Sequence, residues 1–199
     1  MPATASTETG AVRRSPRERL LEAAGELFYN EGVQSVGIDR VIERAGVAKA
    51  SLYTTFGSKE ELVRAYLDQR HGRIITRLRA AVDAIDPADP VARILAVFDA
   101  QAETFRAPEY HGCAFIAASA EAPREGRIDE ATRAYRQDIR ELFTELAAAA
   151  GVPDPPVLAS QLQALYDGGG SAANLDRDPS IAGPIRAAAA SLIAASIDR

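Results

Sequence analysis

Lys49, Tyr53 and Thr54 are the residues whose types and spacing best fit a chemistry. In a helix, Lys49 and Tyr53 share one row while Ala50 and Thr54 share the next. An ammonium, a phenol and a threonine hydroxyl beside small side chains make a narrow, hydrogen-bonding face. Such a face suits the DNA major groove. Lys49 would meet phosphate or guanine, Tyr53 phosphate, and Thr54 a base edge or a thymine methyl. Ala48 and Ser51 complete that face. Leu52 and Phe56, four apart, share another face with Val47 and should pack inward. Lys59 opens the next helix, where the helix dipole also favours anions.

No comparable set serves catalysis. The carboxylates are scattered, and there is no His-Glu-x-x-His, Glu-x-x-His or Gly-x-Ser-x-Gly arrangement. We therefore expect no catalytic residue and no cofactor. His71 and His111 are the only histidines and Cys113 the only cysteine, which argues against a structural zinc site or any bound metal. One cysteine excludes an internal disulfide and fits a reducing cytoplasm. Cys113 invites a redox role, but it has no resolving partner and no clear basic neighbour, so a small buried apolar role is favoured.

The elements that must position the DNA-facing residues are helices. The stretch IDRVIERAGVAKASLYTTF (38–56) reads as two short helices joined at Gly46-Val47, the pattern of a helix-turn-helix. Ahead of it, Leu20, Leu21, Ala24, Leu27 and Phe28 recur at helical spacing after Pro16, and Gly32 is the expected stop. Gly57 stops the third helix. Ser58 and Glu61 form a capping box for a fourth, which carries Leu62, Tyr66, Ile74, Ile75, Leu78 and Val82 and ends before Asp86–Pro90. Five more helices are predicted near 91–106, 110–121, 126–150, 156–173 and 181–197. The expected fold is all-α. Residues 1–14 would be a disordered arm, 15–60 a DNA-binding helix-turn-helix domain, and 61–199 a helical ligand-binding and dimerisation domain.

The chain has 199 residues, 47% hydrophobic and 26% charged, an ordinary globular composition. Its polar N-terminus lacks the apolar core of a signal peptide. No run of roughly 18 apolar residues is evident, so no membrane partner is expected. The net charge of −5 is unevenly spread. Residues 11–80 hold 13 Lys and Arg against 9 Asp and Glu, and residues 81–199 hold 10 against 18. A basic front and acidic rear would turn the front toward phosphates. The acidic rear would repel an anionic ligand at long range unless a local basic patch reversed it.

In that rear, Leu158, Leu162, Leu165 and Tyr166 form one apolar stripe. Ile185, Ala189, Leu192 and Ile193 form another. Small residues between them, including Gly168–Gly170, would let helices approach closely in a four-helix dimer interface. An intramolecular hairpin and a helix break at the glycines remain open. Candidate pocket residues are Phe98, Phe105, Phe115, Tyr135 and Phe143, with Tyr110 and His111 as polar anchors. Each aromatic has plain core packing as its alternative.

The segments RERLLEAAGELFYNEG (17–32), AGVAKASLYTTF (45–56) and SKEEL (58–62) together resemble the DNA-binding domain of the TetR family of transcriptional regulators. The resemblance covers about fifty residues with spacing intact. It places Arg17, Gly37 and Ile38 among the candidate DNA contacts. It departs at Gly37, where the family has Thr or Ser, at Ala48 for Ser, at Ala50 for Gly, and at Thr55 for His. These changes touch particular contacts rather than the fold. The resemblance implies a homodimer with one recognition helix per subunit, acting on double-stranded DNA. A small-molecule effector of unknown identity would bind the rear. HGCAFIAASAE (111–121) is similar to a segment near the cavity in some members. The expected function is a repressor that binds a palindromic operator and is released by its effector. The alternative is a helical dimer that has lost sequence-specific DNA binding and acts through protein partners.

Overall fold

The computed structural model describes residues 14–123 and 125–197. The arm expected at 1–14 lies outside these residues except for Arg14. The described residues hold nine α-helices and no strand, as an all-α fold requires.

Helix α1 (Pro16–Glu31) starts at a capping box. The Ser15 hydroxyl accepts from the Glu18 N–H at 3.2 Å, and the Glu18 carboxylate accepts from the Ser15 N–H at 2.7 Å. Two of the helix's free N-terminal donors are thereby satisfied. The apolar row predicted on α1 is buried at Leu20, Leu21, Ala24, Leu27 and Phe28. Helix α2 (Ile38–Ala45) ends at Gly46, whose φ of 61° places it in the left-handed region that only glycine enters at no steric cost. Helix α3 (Lys49–Phe56) follows. Helix α4 (Lys59–Asp83) is capped by the Ser58 hydroxyl, which accepts from the Glu61 N–H at 3.1 Å. At roughly 1.5 Å per residue, its 25 residues make it long enough to reach from the front helices to those of the rear. It packs on α1 and α3 at one end and on α5 and α7 along the rest.

Behind it lie α5 (Pro90–Phe105), α6 (Ala114–Glu121), α7 (Arg127–Ala149), α8 (Pro155–Asp176), a short 3-10 turn (Pro179–Ile181) and α9 (Ala182–Ile197). One apolar core runs continuously from Leu20 to Ile193.

Three expectations change. The helix forecast from 110 begins only at Ala114, because Gly112 turns the chain at φ 89°. The glycine triplet does not break α8. A Cβ on Gly169 would lie 3.3 Å from the Ile185 side chain, and one on Gly170 would lie 3.2 Å from the Tyr110 hydroxyl oxygen. Those glycines let α9 and the Tyr110 loop come close. Finally, Pro179–Ile197 is long and apolar enough, by length and composition, to cross a membrane. Its alanines supply that character, and in the folded chain Ala189 and Ile193 are buried while Arg186 pairs with Asp99 on α5 at 2.7 Å.

The dimer stripes also need correction. Leu158, Leu162, Tyr166, Ala189 and Ile193 are buried within the chain, so they have no surface to offer a second copy. Leu165, Ile185 and Leu192 are half-buried against the same core. The strongest apolar periodicity of a helix marks the face that its own chain covers. The outward face of α8 instead carries Val157, Ala164, Gly168 and Leu175, the last 78% exposed. On α9, Ala187, Ser191 and Ala194 are exposed.

Candidate nucleic-acid interface and effector cavity

The helix-turn-helix is clamped onto α1 by charge. Arg40 donates two hydrogen bonds to Glu31, at 2.6 and 3.0 Å, and Arg44 reaches Glu26 at 2.7 Å. The Arg19 guanidinium donates to the Gly46 carbonyl at 3.0 Å, tying down the turn itself. Each of these ion pairs is exposed and individually weak. The shared apolar packing carries more: Leu52 is fully buried, with Val47 and Phe56 half-buried around it.

This anchoring turns the predicted face outward. Ala48, Lys49, Ala50, Tyr53 and Thr54 are all exposed on α3, Tyr53 by 47%. Ser51 and Ile38 are half-buried beside them. Gly37 is exposed at the head of α2, which has no side-chain cap. Arg17 sits 5.6 Å from the centre of the Phe56 ring, at the far end of α3. Lys59 is half-buried in the first turn of α4. Thr55 turns inward and donates to the Ser51 carbonyl at 2.6 Å, so it does not join the face.

One feature was not read from the sequence. The Lys49 ammonium lies 2.9 Å from the Asp39 carboxylate, and this hydrogen bond raises its pKa. The pair is open to solvent, so a phosphate could take the place of Asp39 at little cost. Lys49 and Asp39 are ten residues apart on different helices, and only the turn geometry joins them.

A cavity of about 80 Å³ lies between α4, α5, α7, α8 and the 106–113 connection. Of the seven predicted pocket residues, Phe105, Tyr110 and Tyr135 line it. Phe98 and Phe143 instead pack on each other at 5.6 Å and form core with Tyr166. Phe115 stacks flat on Tyr135 at 4.0 Å and is absent from the wall. His111 is exposed, with its backbone N–H held by the Tyr29 hydroxyl at 3.0 Å and its ring 5.7 Å from the Tyr29 ring. The wall also includes Tyr29, Arg70, Arg77, Tyr166 and Asp167, which sequence reasoning missed as cavity residues. Arginines on an amphipathic helix read as solvated, and nothing local marked these two. Cys113 lines the cavity as well, and burial pushes its thiol pKa up, which fits an unreactive role. A wider trough of about 690 Å³ along α7, lined by Arg133, Arg136 and Glu141, is a solvent-open surface rather than an enclosed site.

The cavity touches the front of the molecule through Tyr29 on α1. Its hydroxyl donates to the Gly112 carbonyl at 3.0 Å while accepting from His111. At the other end of α6, the Glu121 carboxylate accepts from the Gln34 N–H at 2.7 Å, and the Gln34 amide donates to the Glu121 carbonyl at 3.2 Å.

Comparison with known proteins agrees with this arrangement. The family described as "Bacterial regulatory proteins, tetR family" matches residues 20–66. The crystal structure of SCO4454, a TetR-family transcriptional regulator from Streptomyces coelicolor, superimposes with a TM-score of 0.85 at 33% identity, covering 92% of this chain and 96% of that one. The HTH-type transcriptional regulator TtgR of Pseudomonas putida is 31% identical over 107 residues, 50% of this chain and 51% of that protein. The HTH-type transcriptional repressor KstR2 of Mycobacterium tuberculosis is 33% identical over 114 residues, 55% and 52% of the two. The chain spans about half the length of these curated relatives. With a 33% identical relative matched over almost its whole length, the chain belongs to the TetR family of transcriptional regulators, which are DNA-binding proteins and not enzymes.

Proposed function

We propose that this protein is a ligand-responsive repressor that binds a palindromic operator as a homodimer and leaves it when a small molecule binds. The observation that carries the reading is the exposed row Ala48, Lys49, Ala50, Tyr53 and Thr54, presented by a helix whose other side is locked down through Leu52. Residues 15–60 act as the reading head and residues 61–199 as the sensing and pairing part. The repressor sense rests on family relatives such as KstR2, named a repressor. Its place of action is the cytoplasm, with double-stranded DNA as partner and no membrane role.

The second copy docks on the outer faces of α8 and α9. Val157, Ala164, Gly168 and Leu175 on one helix and Ala187, Ser191 and Ala194 on the other are all exposed in the single chain. Small side chains allow two such helix pairs to approach, and a two-fold axis makes the contact self-complementary. The two recognition helices then meet half-sites roughly 34–36 Å apart, one turn of DNA.

Selection of duplexes from a random pool by the purified protein tests the reading. A recovered palindrome, bound with affinity that falls steeply with salt, is expected. A folded dimer that enriches no sequence, with or without removal of bound small molecules, would favour a protein-partner role instead.

A further inference from the structure

The wall of the cavity carries two arginines. Most arginines in the described residues are paired with carboxylates, including Arg40, Arg44, Arg64, Arg127 and Arg136. Arg70 and Arg77 both line the cavity, and neither has a carboxylate within 4.0 Å among the described residues. Arg70 is half-buried and lies 3.7 Å from the centre of the Tyr29 ring and 5.6 Å from that of Tyr66. Arg77 is exposed, and so stands at the rim. The acid in the same wall, Asp167, is already taken by Arg136. The net charge facing the cavity is therefore positive, although the rear as a whole is acidic.

We propose that the cavity takes a small aryl carboxylate, its charge seated on Arg70 with Arg77 at the mouth. The proposal rests on the cavity being the effector site. A half-buried guanidinium stacked on rings and lacking a counter-ion offers planar, two-pronged donors to a carboxylate. The walls offered to the remainder are the rings of Phe105, Tyr110, Tyr135 and Tyr166, which suit a flat apolar body. At about 80 Å³ the cavity is smaller than one that holds benzene, so a wall must yield. The 106–113 connection is that wall, fastened by Tyr29. Drawing Arg70 off the Tyr29 ring would loosen the same side chain that fastens α1 to Gly112.

Isothermal titration calorimetry on the protein without DNA tests this with benzoate, phenylacetate and 2-naphthoate, each paired with its primary amide. At least one acid should bind about tenfold or more tightly than its amide, the range of one charged hydrogen bond. That preference should vanish in Arg70→Met and survive in Arg70→Lys. Equal binding of acid and amide, a preference that persists in Arg70→Met, or no binding of any acid at millimolar concentration overturns the proposal. The acid–amide comparison on the unaltered protein decides the matter even if a variant misfolds. Release of the selected duplex by the same acid, read by fluorescence anisotropy, is a separate measurement. Acid binding without release would count against the regulatory reading and leave the cavity's chemistry standing.

Discussion

Replacing Tyr29 with phenylalanine removes one oxygen and leaves the ring, so its cost follows from two hydrogen bonds. The ring keeps its contacts with Arg70 and His111. The hydroxyl's bonds to the Gly112 carbonyl and the His111 N–H, both 3.0 Å, are lost. His111 is exposed and its N–H regains water, whereas Gly112 is buried and its carbonyl is stranded. A stranded buried acceptor costs about 1–3 kcal/mol, and the rehydrated donor adds little. The expected destabilisation is therefore about 1–3 kcal/mol, and each kcal/mol lowers the melting midpoint by about 2–4 °C in a chain of this size. Urea unfolding followed by far-UV circular dichroism should show a lower midpoint with an unchanged slope. A stability change below about 0.5 kcal/mol, the range of an ordinary surface substitution, would refute the claim that this hydroxyl fastens α1 to the rear.

Four further outcomes are expected. Lys49→Ala or Tyr53→Ala should weaken binding to the selected duplex by about 1–3 kcal/mol per half-site with helicity intact. If Lys49 meets phosphate, its loss from both subunits should reduce the salt slope by about 1.8, about 0.9 for each contact; unchanged affinity in both variants would move the interface elsewhere. Ala48→Ser should supply the missing cap of α3 and stabilise the fold by about 0.5–2 kcal/mol, read as a rise in melting midpoint. Gly168→Glu with Leu175→Glu should yield a folded monomer by light scattering, whereas Leu162→Glu should lose helicity; a dimeric mass for the double variant would exclude the outer α8 face. The Tyr66 phenol is buried, which pushes its pKa from the ordinary 10 up to about 12, against a smaller opposing pull from Arg70. Its contribution is thus intact below pH 10 and lost as pH rises from 10 to 12. Tyr66→Phe should flatten the fall in stability across that window, and an identical alkaline profile would contradict the assignment.

The recognition face was legible because it depends on one short segment. Val47, Leu52 and Phe56 fix which side of α3 goes inward, and Lys49, Tyr53 and Thr54 follow by helical geometry. The Ser58 cap of α4 is equally local, read from Ser58 and Glu61, although only the Ser58 hydroxyl half of the expected box forms. The cavity was less legible because its wall is assembled from α1, α4, α5, α7, α8 and a loop. Periodicity says that Phe98, Phe115 and Phe143 are buried but not whether they face a void or each other. Arg70 and Tyr29 gain their meaning only from a contact between helices about forty residues apart. Five of the residues expected on the pairing face are buried in their own chain for a related reason. Leu158 and Leu162 stand out on α8, but a chain that must first bury its own core uses its strongest stripe there. The weaker row ending at Leu175 is what remains outside.

The two fastenings of α6 bear on how such proteins can be recombined. Tyr29 and Gln34, in the reading head, hold Gly112 and Glu121, which flank and end α6. A chimera cut before α4, joining this head to another member's rear, would keep both donors and lose their matched acceptors. The exchangeable unit is therefore not a contiguous piece of chain. It comprises the head together with the two short stations around α6, and grafts that carry both should transmit a foreign effector's signal better than grafts divided at a single point.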